Sequence, residues 1–221
     1  MRKTIFALAV FGVLAFSLTS CLEMTKQKKE IEKEEFIALA NETVADSFDY
    51  AKATIEAKVE SSSSDTKYNG GVDEINRSFS YYYFSNKWNL DYTQTSNKPK
   101  TDTEEVLSEQ CLTFLSTDVR SEINNPPLSD EDTTGLTFYT NPLSYVLNYR
   151  YRDYPISIEG YDGVVNGTGE TTVFFNSKDG RVVYYHDEYE IVTTFTVNGS
   201  KASLNQKSNL TIRFSFSNQK L

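Results

Sequence analysis

The run from Arg181 to Val197 limits the possible folds of this 221-residue chain more than any other stretch. Val183, Tyr185, Tyr189, Ile191, Phe195 and Val197 keep one parity, with Asp187 as an interruption. Apolar residues at every second position turn one face of a strand toward a core. Fully extended, the run would be about 55 Å long at roughly 3.3 Å per residue. That exceeds an ordinary strand, so it must bend or bulge, and long bent strands belong to strongly coiled sheets.

Other segments share the period of two. Ala51, Ala53, Ile55, Ala57 and Val59 alternate with Lys52, Thr54, Glu56, Lys58 and Glu60. The inward residues are mostly alanine, so a helix or a ligand can approach this strand closely. Phe79, Tyr81 and Tyr83 share one face of a second strand, with Tyr82 and Phe84 on the other. After a tight turn near Asn86, Trp88, Leu90 and Tyr92 alternate in a third. Ser61 to Asn76 is polar and carries Asn69-Gly70-Gly71, which predicts a loop or a loose hairpin tip. From Leu136 to Leu221 the pattern is strands and turns. Tyr145, Leu147, Tyr149 and Tyr151 form one face, and Leu210, Ile212, Phe214 and Phe216 form another, with Thr211, Arg213 and Ser215 outward. Asn166-Gly167, Asp179-Gly180 and Asn198-Gly199 predict hairpin turns.

Two stretches repeat with a helical period. Phe36, Leu39, Ala40, Val44 and Phe48 recur at spacings of three and four, predicting a helix from about Lys29 to Ser47. A second helix starts at Thr101-Asp102-Thr103-Glu104, a capping-box pattern. It carries the apolar stripe Leu107, Cys111, Phe114, Leu115, Val119 and Ile123, and Asn124-Asn125-Pro126-Pro127 stops it. The expected fold class is therefore α+β: a curved, mostly antiparallel sheet of half-barrel type wrapping two α-helices.

The N-terminus has a separate character. Arg2 and Lys3 precede an apolar run from Ile5 to Phe16, the length of a signal-peptide h-region and too short to span a bilayer as a helix. Leu18-Thr19-Ser20-Cys21 follows, and it resembles the lipobox of bacterial lipoproteins. The resemblance implies cleavage before Cys21 and acylation of its thiol and new N-terminus. Residues 1–20 are then a leader, 21–29 the lipidated cysteine and a polar tether, and 30–221 a single α+β domain. Two or three acyl chains hold a protein stably on a membrane. The expected location is the extracytoplasmic side of a cell membrane. Leu22, rather than Asp, follows the cysteine, which in a two-membrane envelope is not an inner-membrane retention signal.

Composition narrows the possible partners. The net charge is −9, and losing Arg2 and Lys3 takes the mature chain to −11. Such a chain is repelled by phosphates, which disfavours nucleic acid and any membrane contact that relies on a basic patch. With Cys21 acylated, Cys111 has no disulfide partner, so stability must come from a core built on 14 Phe, 15 Tyr and one Trp. His186 is the sole histidine and sits on the polar side of its strand. Cys111, in an apolar stripe, reads as an inert core residue. No zinc spacing exists. Asp130-Glu131-Asp132-Thr133-Thr134-Gly135 fails the calcium-loop pattern at Thr134 and Asn141. Gly160, Gly163, Gly167 and Gly169 lack the lysine and helix of a phosphate loop. Tyr149-Arg150-Tyr151-Arg152-Asp153-Tyr154 interleaves aromatic and basic residues, a pattern that can grip sugars or headgroups. No catalytic residue, metal or cofactor is expected.

The order of anchor, helix, antiparallel strands, central helix and closing meander is similar to that of the half-barrel carriers typified by LolA, LolB and LprG. Trp88 to Tyr92 before the central helix and Asp179-Gly180-Arg181 in the meander carry the likeness. It implies acyl-chain binding between sheet and helices. Ala53, Ile55, Ala57, Phe79, Tyr81, Tyr83, Trp88, Leu90, Leu107, Phe114 and Leu115 are the candidate lining residues. The ligand would be a lipid or other hydrophobic small molecule. The alternative is a protein or polysaccharide partner held by exposed aromatics, such as Tyr151, and by strand edges.

Overall fold

The computed structural model describes residues 29–44, 46–64, 70–91, 102–124, 132–158, 161–197 and 200–220. Cys21 and its tether, and Tyr92 and Thr101, lie outside these residues.

Among the described residues, nine strands form one antiparallel sheet: β1 (Glu30–Ile31), β2 (Tyr50–Ser63), β3 (Gly71–Phe84), β4 (Lys87–Asp91), β5 (Thr133–Thr140), β6 (Leu143–Ile158), β7 (Tyr161–Phe175), β8 (Val182–Val197) and β9 (Ser200–Ser217). Their order across the sheet is β1-β5-β6-β7-β8-β9-β2-β3-β4. The meander β5 to β9 is local in sequence. The β9–β2 pairing, which runs from Tyr50↔Ser217 to Ser63↔Leu204, joins it to the β2–β3–β4 hairpins. β1 and β4 are the edges, so the sheet is open. β8 starts one residue later than its alternation suggested, and it is matched by equally long β6, β7 and β9.

Among the described residues there are three helices: α1 (Lys33–Glu42), α2 (Asp102–Ser116) and α3 (Val119–Asn124). Each departure from the sequence pattern has a local cause. Ile31 pairs with Phe138 and enters the sheet, so α1 begins after it. Thr43 ends α1 in an extended conformation, its hydroxyl donating to the Ala40 carbonyl at 2.7 Å. The predicted single helix to Ile123 is broken at Asp118. Its Oδ1 accepts from the Arg120 and Ser121 amides at 3.0 and 2.9 Å, capping α3 instead of continuing α2.

Two sheet predictions are corrected. Asn166-Gly167 lies inside β7, not in a turn. Asn166 fills a bulge in β6, where the register shifts between Tyr151 and Tyr154, by bonding the Asp153 amide and carboxylate at 3.0 Å each. Val72 to Asn76 is strand rather than loop, paired residue by residue with β2. Short β4 pairs only Ser80 to Phe84, so this part of β3 borders solvent, which suits its polar side chains.

One row of the inner face runs Ile31, Phe138, Tyr145, Val173, Tyr185, Ile212 and Ile55 across seven strands. Phe36 of α1, fully buried, packs on Phe138 and Phe175 with ring centroids at 4.7 and 6.4 Å. At one end of the sheet, Gly180 (φ +71°) turns β7 into β8. Its carbonyl accepts from the Val119 amide at 2.8 Å, tying α3 to that turn. Arg181 lies over the rings of Phe48 and Phe216 at 5.5 and 5.4 Å and donates to the Asp46 carbonyl. No helix among the described residues is long and apolar enough to cross a membrane.

Candidate functional site

Most of the predicted lining residues do gather on the inner face. Ala53, Ile55, Ala57, Tyr81, Trp88, Leu107 and Leu115 are buried in one core, with Phe79, Leu90 and Phe114 packed against it. Tyr83 is the exception. It is 43% exposed, at the rim, with its ring 5.3 Å from that of Trp88. α2 brings the others together. Tyr81 on β3 donates its hydroxyl to the Ser108 carbonyl at 3.2 Å. Two turns on, Phe114 packs on Tyr185 of β8 and Phe214 of β9, at 4.5 and 6.2 Å. β2 lies between β3 and β9, so its buried alanines share one core with Tyr81, Phe114 and Phe214.

Burial sets the chemistry of this face. It raises the Tyr81 hydroxyl pKa well above the ordinary phenol range. It pushes the Cys111 thiol up to about 12, with the polar contact to Tyr81 pulling back. A thiol with so little thiolate at neutral pH is a poor nucleophile. In acylated protein, a thiol reagent should therefore label Cys111 only once denaturant is added. Rapid labelling of the folded chain, followed by absorbance, would contradict this.

Asp187, the interruption in the β8 pattern, is also buried. Its Oδ1 accepts from Tyr149 Oη at 3.0 Å and Thr171 Oγ1 at 2.7 Å. Burial raises its pKa, and those two hydrogen bonds oppose the rise. The Tyr149 ring lies directly against Gly169, a position where a side chain would collide with it. Tyr149, Tyr151 and Tyr154 form a ladder with centroids 5.6 and 5.5 Å apart, running from buried to exposed along β6. No pattern of residue types marks Asp187 as satisfied, because its partners come from two other strands.

The outer face carries His186, half-buried, with Nδ1 3.1 Å from Thr211 Oγ1. Thr211 is buried, contrary to its predicted exposure, because it lies beneath this contact. Burial lowers the His186 pKa, while Glu188 and Glu170 pull it upward.

Further along the same face two clefts adjoin, with volumes of about 810 and 360 Å³. They share Glu190 and Lys207. Strand register explains their lining. Arg150, Thr168, Glu190, Lys207, Glu60 and Val72 form one row across six strands. Asn148, Glu170, Glu188, Asn209, Lys58 and Glu74 form the next. Lys207 Nζ lies 3.8 Å from Glu190 Oε2. Glu170 and Glu188 face each other directly, a like-charge pairing that costs stability. The result is a shallow groove of mixed character, with carboxylates, amides and hydroxyls throughout and Val72, Ile191 and Val192 in its larger cleft.

Among the described residues, no group of three or more acidic, histidine or cysteine side chains is placed to hold a metal ion. Asp130 and Glu131 of the acidic loop lie outside those residues. No protein-family model matches the chain, and no curated protein or solved structure is significantly similar to it.

Proposed function

We propose that the chain is a non-enzymatic lipoprotein of the cell envelope, held on the extracytoplasmic side by acyl chains on Cys21. Its sheet curves as a half-barrel around α1 and α2, and it binds a partner through the outer-face groove. The observation that carries this reading is the contrast between the two faces. The inner candidates pack against one another under α2. The outer face offers adjoining clefts around Glu190 and Lys207. Their lining suits a hydroxyl-rich or charged surface, such as a polysaccharide or a polar protein face, more than an acyl chain. The test is retention of envelope material on the immobilised protein. Lys207→Glu removes the pair to Glu190 and should reduce retention about tenfold, the cost of roughly one charge-assisted contact. Its urea midpoint should hold, because Lys207 is exposed. Unchanged retention would sink the groove.

The second reading, a carrier of a lipid or other hydrophobic ligand, is favoured by the apolar lining gathered between Trp88 and α2. An acyl chain there has to displace packed side chains. Titration with a fatty acid kept monomeric, with no bilayer present, should leave Trp88 fluorescence unchanged; a saturable blue shift would restore the carrier.

A further inference from the structure

We infer that the sheet end bearing the β3–β4 hairpin rests on the bilayer, so that the protein stands on two feet, its lipid and its aromatic tip. The inference builds on acylation of Cys21 and adds an orientation and a lipid-contacting surface.

Antiparallel pairing fixes which termini share an end. The Lys29 carbonyl accepts from the Thr140 amide at 3.1 Å, at the β5–β6 turn. β6 starts at that turn. The register carries the same end through the finish of β7, the start of β8, the finish of β9, the start of β2 and the finish of β3 at Phe84. The tether and the β3–β4 hairpin therefore leave from one end of the sheet, at opposite edges.

Among the described residues, the two most exposed large apolar side chains, Val44 and Phe84, lie at that end. Phe84 is 67% exposed, Tyr83 43% and Tyr82 38%. Ser85 and Asn86 close the hairpin in a tight turn with φ of +53° and +60°, so the tip is held rather than loose. Val44, 72% exposed, joins them at this end through its amide bond to the Lys178 carbonyl at 2.9 Å. Tyr82 and Phe84 lie on the strand face turned away from the core. Tyr is favoured at a membrane interface, where its ring meets hydrocarbon and its hydroxyl the headgroups, and an exposed Phe ring gains by leaving water for the acyl region.

Chain length makes the bilayer the occupant. The eight steps from Cys21 to Lys29 reach at most about 28 Å. A lipidated protein therefore cannot lift this end far from the membrane. Nine strands span about 38 Å along the sheet, at roughly 4.8 Å each, so anchor and tip make separate contacts. The groove around Glu190 and Lys207 then stands on the side of the sheet, about 26 Å from the membrane end along β8.

The experiment uses full-length chain, expressed with its leader, extracted from membranes and reconstituted in phosphatidylethanolamine–phosphatidylglycerol vesicles. Phe84→Cys and Val72→Cys are each labelled with an environment-sensitive fluorophore. Val72 is the control, exposed on the same strand about 40 Å from Phe84. Acyl-brominated phospholipid should quench the label at position 84 roughly twofold or more and leave position 72 unchanged. Equal quenching at both positions, with acyl groups present on Cys21 by mass, would overturn the orientation and leave the anchor standing. A label at position 84 shielded from aqueous iodide yet untouched by brominated lipid would also overturn it, in favour of a protein neighbour. Cys21 without acyl groups would remove the reading beneath it.

Discussion

Gly180→Val should cost about 3–5 kcal/mol of stability. Two effects add at this position. The backbone φ of +71° lies in the left-handed region, which a β-branched residue adopts only under strain. A Cβ would also stand 2.8 Å from Thr43 Oγ1 and 2.9 Å from Val119 Cγ1. Neither neighbour can yield cheaply. Thr43 ends α1 through its bond to Ala40, and the Val119 amide bonds the Gly180 carbonyl. One added side chain thus presses on the turn, the end of α1 and the start of α3 together. Urea unfolding monitored by circular dichroism should show a large fall in midpoint. Gly71→Ala is the matched control, because nothing lies within 4 Å of its added carbon. It should stay within about 0.5 kcal/mol of the native chain. A neutral Gly180→Val would mean that the three elements do not meet at this turn.

Asp187→Ala should cost about 2–4 kcal/mol, since it orphans the hydroxyls of Tyr149 and Thr171 inside the sheet face and leaves a cavity. Asp187→Asn separates hydrogen bonding from charge. Both donors reach the same oxygen, so an amide oxygen can accept both. The sign of the pH effect follows from the raised pKa. The folded state holds the Asp187 proton more tightly than the unfolded state does. The stability this gives is fully present below the unfolded carboxylate pKa and is lost as pH rises through the folded value. Asp187→Asn cannot lose it. Between about pH 4 and pH 7 the stability difference should therefore move steadily in favour of the Asn variant. Glu122, also raised by burial, titrates in both proteins and cancels from the difference. Parallel pH profiles would show that Asp187 is not buried as described.

Much of this arrangement is legible in the order of residues alone. Strict alternation in Ala51 to Val59 marks β2, and its inward alanines are buried in the core as that alternation implies. The stripe through Leu107, Cys111 and Leu115 marks the face that α2 buries. What fails is whatever depends on residues distant in sequence. Asn166-Gly167 has the composition of a turn, yet pairing with β6 and β8 holds it in a strand. Val72 to Asn76 has loop composition, but β2 supplies its backbone partners. Ile31 leaves the helical pattern because β5 lies beside it. The groove is hidden for the same reason. Glu60, Glu190 and Lys207 each read as an ordinary solvated position, and only register across three strands sets them side by side. The aromatic tip is half legible, since the alternation puts Tyr82 and Phe84 away from the core. Its place at the tether's end of the sheet follows only from the strand order.

The most direct test of the anchored-lipoprotein account is the mass of the N-terminal peptide from protein extracted out of membranes. The account predicts a tryptic peptide running from Cys21 to Lys26 and carrying two or three acyl chains, with nothing recovered from residues 1–20. A peptide that begins at Met1, or one that begins at an unmodified Cys21, would contradict it.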